Sequence, residues 1–111
     1  MKAQAGGFRN SSYFNHTVKA TASELIAIAK HLGAEYGEDN TGADKTNFDF
    51  DFETDNGVYF TVYDWKEYRA IDLHETIEWH IGGENSTAAS EGQDELQAML
   101  TAFRKGELVP A

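Results

Sequence analysis

The chain has 111 residues, enough for one domain, and its composition of 41% hydrophobic residues, with seven Phe, five Tyr and two Trp, excludes a disordered protein. It has no cysteine and no run that approaches the roughly 18 apolar residues of a membrane span, which excludes disulfide bonds, cysteine nucleophiles and a membrane-spanning helix. Nineteen acidic residues against nine basic ones give a net charge of −10, so the chain repels nucleic acid and favours a basic protein partner, and the polar N-terminus predicts a cytoplasmic location.

The N-terminal part of the chain contains a polar segment followed by a helical pattern. Residues 1–12 are polar and contain two adjacent glycines, which predicts a mobile tail ahead of a single domain over residues 13–111. Thr21 and Glu24 have the spacing of a capping box, in which each side chain accepts a hydrogen bond from the backbone of the other. Apolar residues then recur at helical spacing up to a glycine, so the sequence predicts a helix over residues 22–32.

A polar loop and a β-hairpin are predicted next. Residues 33–47 contain three glycines, four acidic residues and a single lysine, which indicates a loop. Strict alternation in residues 48–52, and the β-branched and aromatic residues of 58–65, predict two strands. Asp55-Asn56-Gly57 lies between them and is typical of a hairpin turn.

The length of this turn decides which side chains face the core. A two-residue turn pairs Phe50 with Tyr63, whereas a three-residue turn with Gly57 in the left-handed region pairs Phe50 with Val62. We adopt the three-residue turn because it collects the apolar side chains on one face and leaves the aromatic residues with polar groups on the other. The predicted inner face consists of Phe48, Phe50, Phe52, Val58, Phe60 and Val62, and the outer face includes Tyr59, Tyr63 and Trp65.

The C-terminal half is predicted to add one strand and one helix. Alternation in residues 75–81 predicts a strand that points Ile77, Trp79 and Ile81 inward and Thr76, Glu78 and His80 outward. Ser90 and Gln93 form a second candidate capping box, which predicts a helix over residues 90–105, whereas residues 66–73 have no assigned element. The predicted fold is therefore α+β in the order α-β-β-β-α, with a three-stranded antiparallel sheet and two helices packed on one face.

The sheet face without helices is predicted to combine carboxylates with amphipathic aromatic residues. Carboxylates two residues apart on a strand lie roughly 6.5–7 Å apart, which is of the order of the phosphate spacing along a nucleic-acid strand. Tyr and Trp are common anchors of protein interfaces, although the same residues also fit an ordinary solvated surface. The pattern favours a DNA-like surface toward a basic protein, formed by Asp49, Asp51, Glu53, Tyr59, Tyr63, Trp65 and Glu78 and extended by the loop residues Glu35, Glu38, Asp39 and Asp44.

The sequence leaves two other functions open. His74, Glu78 and His80 lie in or next to the third predicted strand and are candidate ligands for a divalent metal, in a metal-binding module or a metal-dependent enzyme. A structural homodimer or adaptor, formed through the open face or an edge strand, is the second alternative. The chain has no Gly-x-Ser-x-Gly, no phosphate-binding glycine motif and no cysteine, so we expect a non-enzymatic protein without a cofactor.

Residues 57–83 resemble a stretch found in small bacteriophage proteins of unknown function. The resemblance rests on residues 63–69 (YDWKEYR) and 78–83 (EWHIGG). In its size, acidity and lack of cysteine the chain is also similar in character to the anti-restriction and anti-CRISPR inhibitors that imitate DNA. These resemblances imply a phage anti-defence inhibitor that binds a basic nucleic-acid-binding protein in the cytoplasm of a bacterial host.

The predicted order of helices and strands also resembles that of the double-stranded RNA-binding domain. That domain needs a basic start to its second helix. Residues 90–95 (SEGQDE) stand at the matching place and are acidic, so they repel phosphate and argue against direct binding to RNA.

Overall fold

Six strands and two helices form the part of the chain that the computed structural model describes, which is residues 1–3, 12–42, 47–65 and 69–107. In chain order these elements are β1 (Lys2–Ala3), β2 (Ser12–Thr21), α1 (Ala22–Leu32), β3 (Tyr36–Glu38), β4 (Phe48–Glu53), β5 (Tyr59–Tyr63), β6 (Thr76–Gly83) and α2 (Ser86–Arg104). Within the described ranges, neither helix has the length and apolarity that a bilayer span requires.

The strands form a single antiparallel sheet in the order β1-β4-β5-β6-β2, and β3 pairs with β4 on the same side as β1. The α+β class and the antiparallel sheet are confirmed, but the prediction of three strands in the order α-β-β-β-α was wrong. β1 and β3 have only two and three residues, which is too short for an alternating pattern to appear in the sequence. Both of these strands are therefore defined by their pairing with β4 rather than by their own composition.

β2 is the longest strand and was missed by the sequence reasoning. Its inward-facing residues include Val18 opposite Trp79 and Ala20 opposite Ile77, so the described part of its inner face is small and gives a weak hydrophobic signal. Lys2–Ala3 pair with β4 and Ser12 begins β2, so the predicted tail over residues 1–12 starts and ends in strands. Its middle part, residues 4–11, lies outside the described residues.

α1 has the predicted bounds because its ends are specified locally. Glu24 donates its backbone N–H to Thr21 Oγ1 at 3.1 Å, and Thr21 donates its own N–H to Glu24 Oε1 at 3.0 Å. The helix ends at Gly33, which has a φ of 72°, a left-handed conformation that glycine adopts without a steric penalty. The predicted helix over residues 22–32 is therefore confirmed at both ends.

α2 begins four residues earlier than predicted because Asn85 is its N-cap. Ala88 donates its N–H to Asn85 Oδ1 at 2.8 Å, which makes the predicted capping box of Ser90 and Gln93 wrong. A side chain at Gly83 would meet the backbone of Ala89 at 2.8 Å, so the absence of a side chain there allows β6 to turn closely into the helix. The C-terminal end at Arg104 lies one residue before the predicted one.

The hairpin of β4 and β5 has the predicted register. Phe50 lies opposite Val62 and Phe52 lies opposite Phe60, as a three-residue turn requires. Gly57 has a φ of 82°, which is the left-handed conformation on which that prediction rested. β5 ends at Tyr63, so Trp65 follows the strand instead of belonging to it.

The core lies between one face of the sheet and the two helices. The inner side chains of β4, β5, β6 and β2 meet the apolar stripes of α1 and α2 there, and the Trp79 indole donates to Ala20 O at 2.9 Å. A side chain at Gly92 would overlap the Phe60 ring, so this glycine allows α2 to pack closely on β5. The largest fully buried side chains include Trp79, Phe48, Phe50, Phe52, Phe60, Leu25, Ile28, Ile81, Leu96 and Leu100.

Candidate partner-binding face

The two described helices pack on one side of the sheet, and we call the other side the open face. Side chains alternate between the two faces along each strand. The residues that alternate with the core residues of β4, β5, β6 and β2 therefore point to the open face. The open face carries Lys19, Asp49, Asp51, Glu53, Tyr59, Thr61, Tyr63, Glu78 and His80.

The three carboxylates of β4 differ in their surroundings. Asp49 is exposed, whereas Asp51 is half-buried, and burial, followed by the neighbouring charge of Asp49, raises the pKa of Asp51 above its ordinary value of 3.8. Glu53 is only 7% exposed and forms an ion pair with Lys2, whose Nζ lies 3.3 Å from Glu53 Oε2. The predicted row of carboxylates along the strand is therefore uneven, and its accessible charge is concentrated at Asp49.

Asp49 lies beside an aromatic cluster formed by β5 and the residue pair that follows it. Asp49 and Tyr63 are cross-strand partners, so their Cβ atoms are roughly 4.5–5.5 Å apart. The Tyr63 ring contacts the Trp65 ring edge-on, with centroids 5.9 Å apart, and lies 5.7 Å from the His80 ring. Trp65 is 40% exposed, which is high for a large hydrophobic side chain. The structure thus brings together three of the predicted binding residues at one end of the open face.

Two other predicted residues lie elsewhere. Glu78 is exposed on β6 opposite Lys19 of β2, so a positive charge is its direct cross-strand neighbour. Tyr59 is half-buried at the far end of the open face and lines a cleft of about 480 Å³ between the hairpin turn and the start of α2. Glu84 and Glu91 line the same cleft.

The predicted loop acids lie around β3. Glu35 precedes this strand, Glu38 ends it, and Asp39 follows it, and all three are exposed. Asp39 Oδ1 accepts a hydrogen bond from Thr41 Oγ1 at 3.1 Å. Asp44 lies outside the described residues. The described acids of this segment therefore extend the negative surface from Asp49 toward the sheet edge formed by β3.

Gly37 is a site residue that the sequence reasoning missed. It lies opposite Asp49, and a Cβ atom placed on it would be 2.9 Å from each of the two carboxylate oxygens of Asp49. The Asp49 carboxylate therefore extends over the glycine, toward the outer side of β3. The alternation of residues 48–52 predicted the face of Asp49 but contained no information about the strand beside it.

Asp64 is a second residue whose role was not predicted. Its fully buried carboxyl group accepts the backbone N–H groups of Asn47 and Phe48 at 2.8 Å each, and the Asn47 side-chain amide at 3.1 Å. The same Asn47 amide donates to Arg69 O at 2.8 Å, and Asn47 Oδ1 accepts the Gly42 N–H at 2.9 Å. This network attaches the β3–β4 loop to the end of β5, and so it positions Asp49 beside Tyr63.

The candidate metal ligands are not gathered into a site. His74 lies in the turn before β6, where its backbone N–H donates to Asp72 Oδ1 at 2.8 Å, while Glu78 and His80 lie on the open face. Among the described residues, no group of three or more His, Cys, Asp or Glu side chains is close enough to hold a metal ion. The part of the chain that the structure describes therefore gives no support to the metal-dependent alternative.

No protein-family model, curated protein or solved structure matches the chain. Asp49 is exposed and has neither a hydrogen bond nor an ion pair to any described residue, and the rings of Tyr63 and Trp65 lie beside it. A carboxylate next to such rings is suited to bind a lysine or arginine side chain, by an ion pair and by a cation–π contact.

Proposed function

We propose that the protein is a non-enzymatic binding protein that inhibits a basic nucleic-acid-binding protein by occupying the surface that binds phosphate. The observation that carries the proposal is the exposed Asp49 carboxylate, without a described partner, beside Tyr63 and Trp65 on a sheet face that the helices leave uncovered. The partner-binding surface in this proposal consists of Asp49, Tyr63, Trp65, Glu78, Glu38 and Asp39.

The charge of the whole chain supports the same conclusion. A net charge of −10 attracts a basic protein over a distance and increases the rate of association, and added salt weakens this effect. Aromatic residues then contribute contact area that charge alone does not provide. The unequal carboxylates of β4 favour one strong anchoring point at Asp49 over the imitation of a regular row of phosphates.

The phage resemblance suggests the class of partner. A phage protein of this kind acts on a host defence or DNA-processing protein, which binds its own substrate through lysine and arginine side chains. Direct competition with DNA follows from this proposal, because the inhibitor and the nucleic acid would occupy the same basic surface.

The experiment is capture of proteins from a bacterial lysate on the immobilised full chain, followed by elution with short duplex DNA and, separately, with salt. The test variant is Asp49→Lys/Glu78→Lys, and the control variant is Glu84→Lys/Asp94→Lys, which changes the net charge equally at exposed positions near the start of α2. We expect a protein that DNA displaces, with at least about tenfold weaker capture by the test variant and only a small loss in the control.

Two results contradict the proposal. If both double variants lose capture equally, net charge alone is responsible and the open face is not the binding site. If DNA fails to displace the captured protein while salt does, the partner is not bound through its phosphate-binding surface.

A further inference from the structure

The outer side of β3 is an edge of the sheet. β3 pairs with β4 on one side, and no described strand pairs with its other side. We call the backbone of Tyr36–Glu38 on that outer side the β3 edge. Gly37 and Glu38 are exposed and Tyr36 is half-buried, so the β3 edge is open to solvent.

The hydrogen-bonding phase of β3 shows which backbone groups point outward. Asp39 donates its N–H to Asn47 O at 2.7 Å, which identifies these two residues as a hydrogen-bonded pair. Because such pairs alternate in an antiparallel ladder, Gly37 and Asp49 form the next hydrogen-bonded pair. The N–H and C=O groups of the residues on either side of Gly37 therefore point away from the sheet.

A hydrogen bond at the turn of the β4–β5 hairpin leads independently to the same assignment of outward-pointing backbone groups on β3. Thr54 donates its N–H to Val58 O at 2.8 Å, and alternation from this pair makes Asp49 and Tyr63 a non-hydrogen-bonded pair. The backbone groups of Asp49 must then point toward β3. The hydrogen bonds at both ends are therefore consistent, and the β3 edge presents two N–H groups and two C=O groups in the arrangement that an added antiparallel strand requires.

The Asp49 carboxylate lies directly above this edge. Both of its oxygens are 2.9 Å from the place where a Gly37 side chain would begin, and no described residue pairs with them. A residue opposite Gly37 on an added strand would form a non-hydrogen-bonded pair, with Cα atoms about 4.5 Å apart and its side chain on the open face. A long basic side chain at that position would reach back over Gly37 to the carboxylate.

We propose that the β3 edge binds an extended segment of the basic partner as an added antiparallel strand, with an arginine or lysine opposite Gly37 and in contact with Asp49. This inference rests on the proposed function and specifies how the partner is held. Main-chain hydrogen bonds supply the attachment, and the pocket left by the missing side chain supplies the selection for a cation.

A second copy of the chain is a poorer occupant of the same edge. An antiparallel pair of β3 strands centred on Gly37 would bring the Asp49 carboxylates of the two copies close together. Like charges in neighbouring strands are destabilising. The charge at this edge therefore favours a basic partner over self-association.

The probe is a five-residue peptide, acetyl-Thr-Val-Arg-Val-Thr-amide, titrated into the isotope-labelled full chain and followed by the backbone amide signals. Two control peptides carry glutamine in place of arginine, or N-methyl groups on both valines. We expect saturable changes in chemical shift and slower hydrogen exchange at the Tyr36 and Glu38 backbone amides. We also expect each control peptide to bind at least about tenfold more weakly.

Protein variants separate the charge from its position. Asp49→Asn removes the charge, while Gly37→Ala retains the charge and forces the flexible carboxylate away from the edge. We expect each to weaken peptide binding by about fivefold to tenfold, whereas Asp94→Asn, which removes a charge at an exposed position on α2 outside the proposed surface, changes the affinity by less than about twofold.

Some outcomes overturn the inference. If the N-methylated peptide binds as tightly as the unmodified one, no strand is added. The same conclusion follows if the chemical shifts change only at acidic side chains away from β3. If DNA-displaceable capture depends on Asp49 and Glu78 but the peptide leaves the β3 amides unchanged, the edge assignment fails and the proposed function stands. If the peptide binds as described and no lysate protein is displaced by DNA, the proposed function fails and the β3 edge remains a peptide-binding site.

Discussion

The two edges of the sheet, at β2 and at β3, differ in whether side chains bind their outward-pointing backbone groups. At the β2 edge, alternation along β6 directs the carbonyls of Thr17 and Lys19 outward, and α2 supplies donors to both. Gln93 Nε2 donates to Thr17 O at 2.8 Å, and an Arg104 guanidinium nitrogen donates to Lys19 O at 3.0 Å. At the β3 edge, no described side chain occupies the corresponding positions.

This difference shows how the fold protects a long edge and leaves a short one accessible. β2 has ten residues, and an uncovered edge of that length is a template for aggregation. β3 has three residues, so its exposed backbone is too short to recruit other strands strongly without help from a side chain such as Asp49. The covered edge serves stability, and in our proposal the accessible edge serves binding.

The largest expected effect comes from the network that holds the accessible edge in place. Asp64→Ala removes the acceptor of two buried backbone N–H groups, and we expect a loss of about 3–4 kcal/mol in the free energy of unfolding. Chemical denaturation measures this loss, and Asp94→Ala, at an exposed position on α2, is the control. An effect below about 1 kcal/mol would show that the network does not position the β3–β4 loop.

The next effect concerns the helix that covers the β2 edge. Gly92→Leu forces a side chain into the Phe60 ring, and we expect a net loss of about 2 kcal/mol, since the gain in helix propensity offsets only part of the steric strain. Amide hydrogen exchange should become faster in β2, because α2 can no longer lie close to the sheet. Ala98→Leu introduces the same side chain at an exposed position of the same helix, and equal stability of the two variants would contradict the close packing.

The smallest effect is a pH-dependent one at the end of the covered edge. Two hydrogen bonds from Arg104, at 2.6 and 3.2 Å, lower the pKa of Glu24 below its ordinary value of 4.5. A lowered folded-state pKa contributes stability that is present above the unfolded pKa and is lost as pH falls through the folded one. We expect Arg104→Met to cost about 0.5–1 kcal/mol at pH 7, part of it from the lost bond to Lys19 O.

The pH profile separates the two parts of that cost. The difference in unfolding free energy between wild type and Arg104→Met should shrink as the pH falls below about 4.5, while the contribution of the carbonyl bond remains. Lys105→Met, at the neighbouring exposed position, should show no such trend. A pH-independent difference would mean that Glu24 contributes nothing through this pair.

The sequence predicted the elements whose determinants are close together in the chain. The capping box of Thr21 and Glu24 lies within one helical turn, and the turn at Gly57 fixes the register of its two strands locally. β2 was missed because its inner face is small. The predicted start of α2 was late because the spacing of Ser90 and Gln93 is typical of a capping box, whereas the N-cap is Asn85.

The geometry of the candidate site depends on contacts between residues that are far apart in the sequence. The alternation of β4 placed Asp49 on the correct face, and the predicted pairing of Phe50 with Val62 is the register that sets Asp49 opposite Tyr63. The ion pair that removes Glu53 from the surface comes from Lys2, and the space for the Asp49 carboxylate comes from Gly37. Neither could be predicted, because β1 and β3 are identified only through their pairing with β4.

The difference between the β2 edge and the β3 edge also limits how many chains can assemble through the sheet. A subunit with two receptive edges can add further subunits without end and grow into a fibre, whereas a subunit with one receptive edge reaches completion after a single pairing event. In the described part of the chain, Gln93 and Arg104 occupy two outward carbonyls of β2, which disfavours the addition of a second strand there. Complexes formed this way should have one-to-one stoichiometry even at high protein concentration.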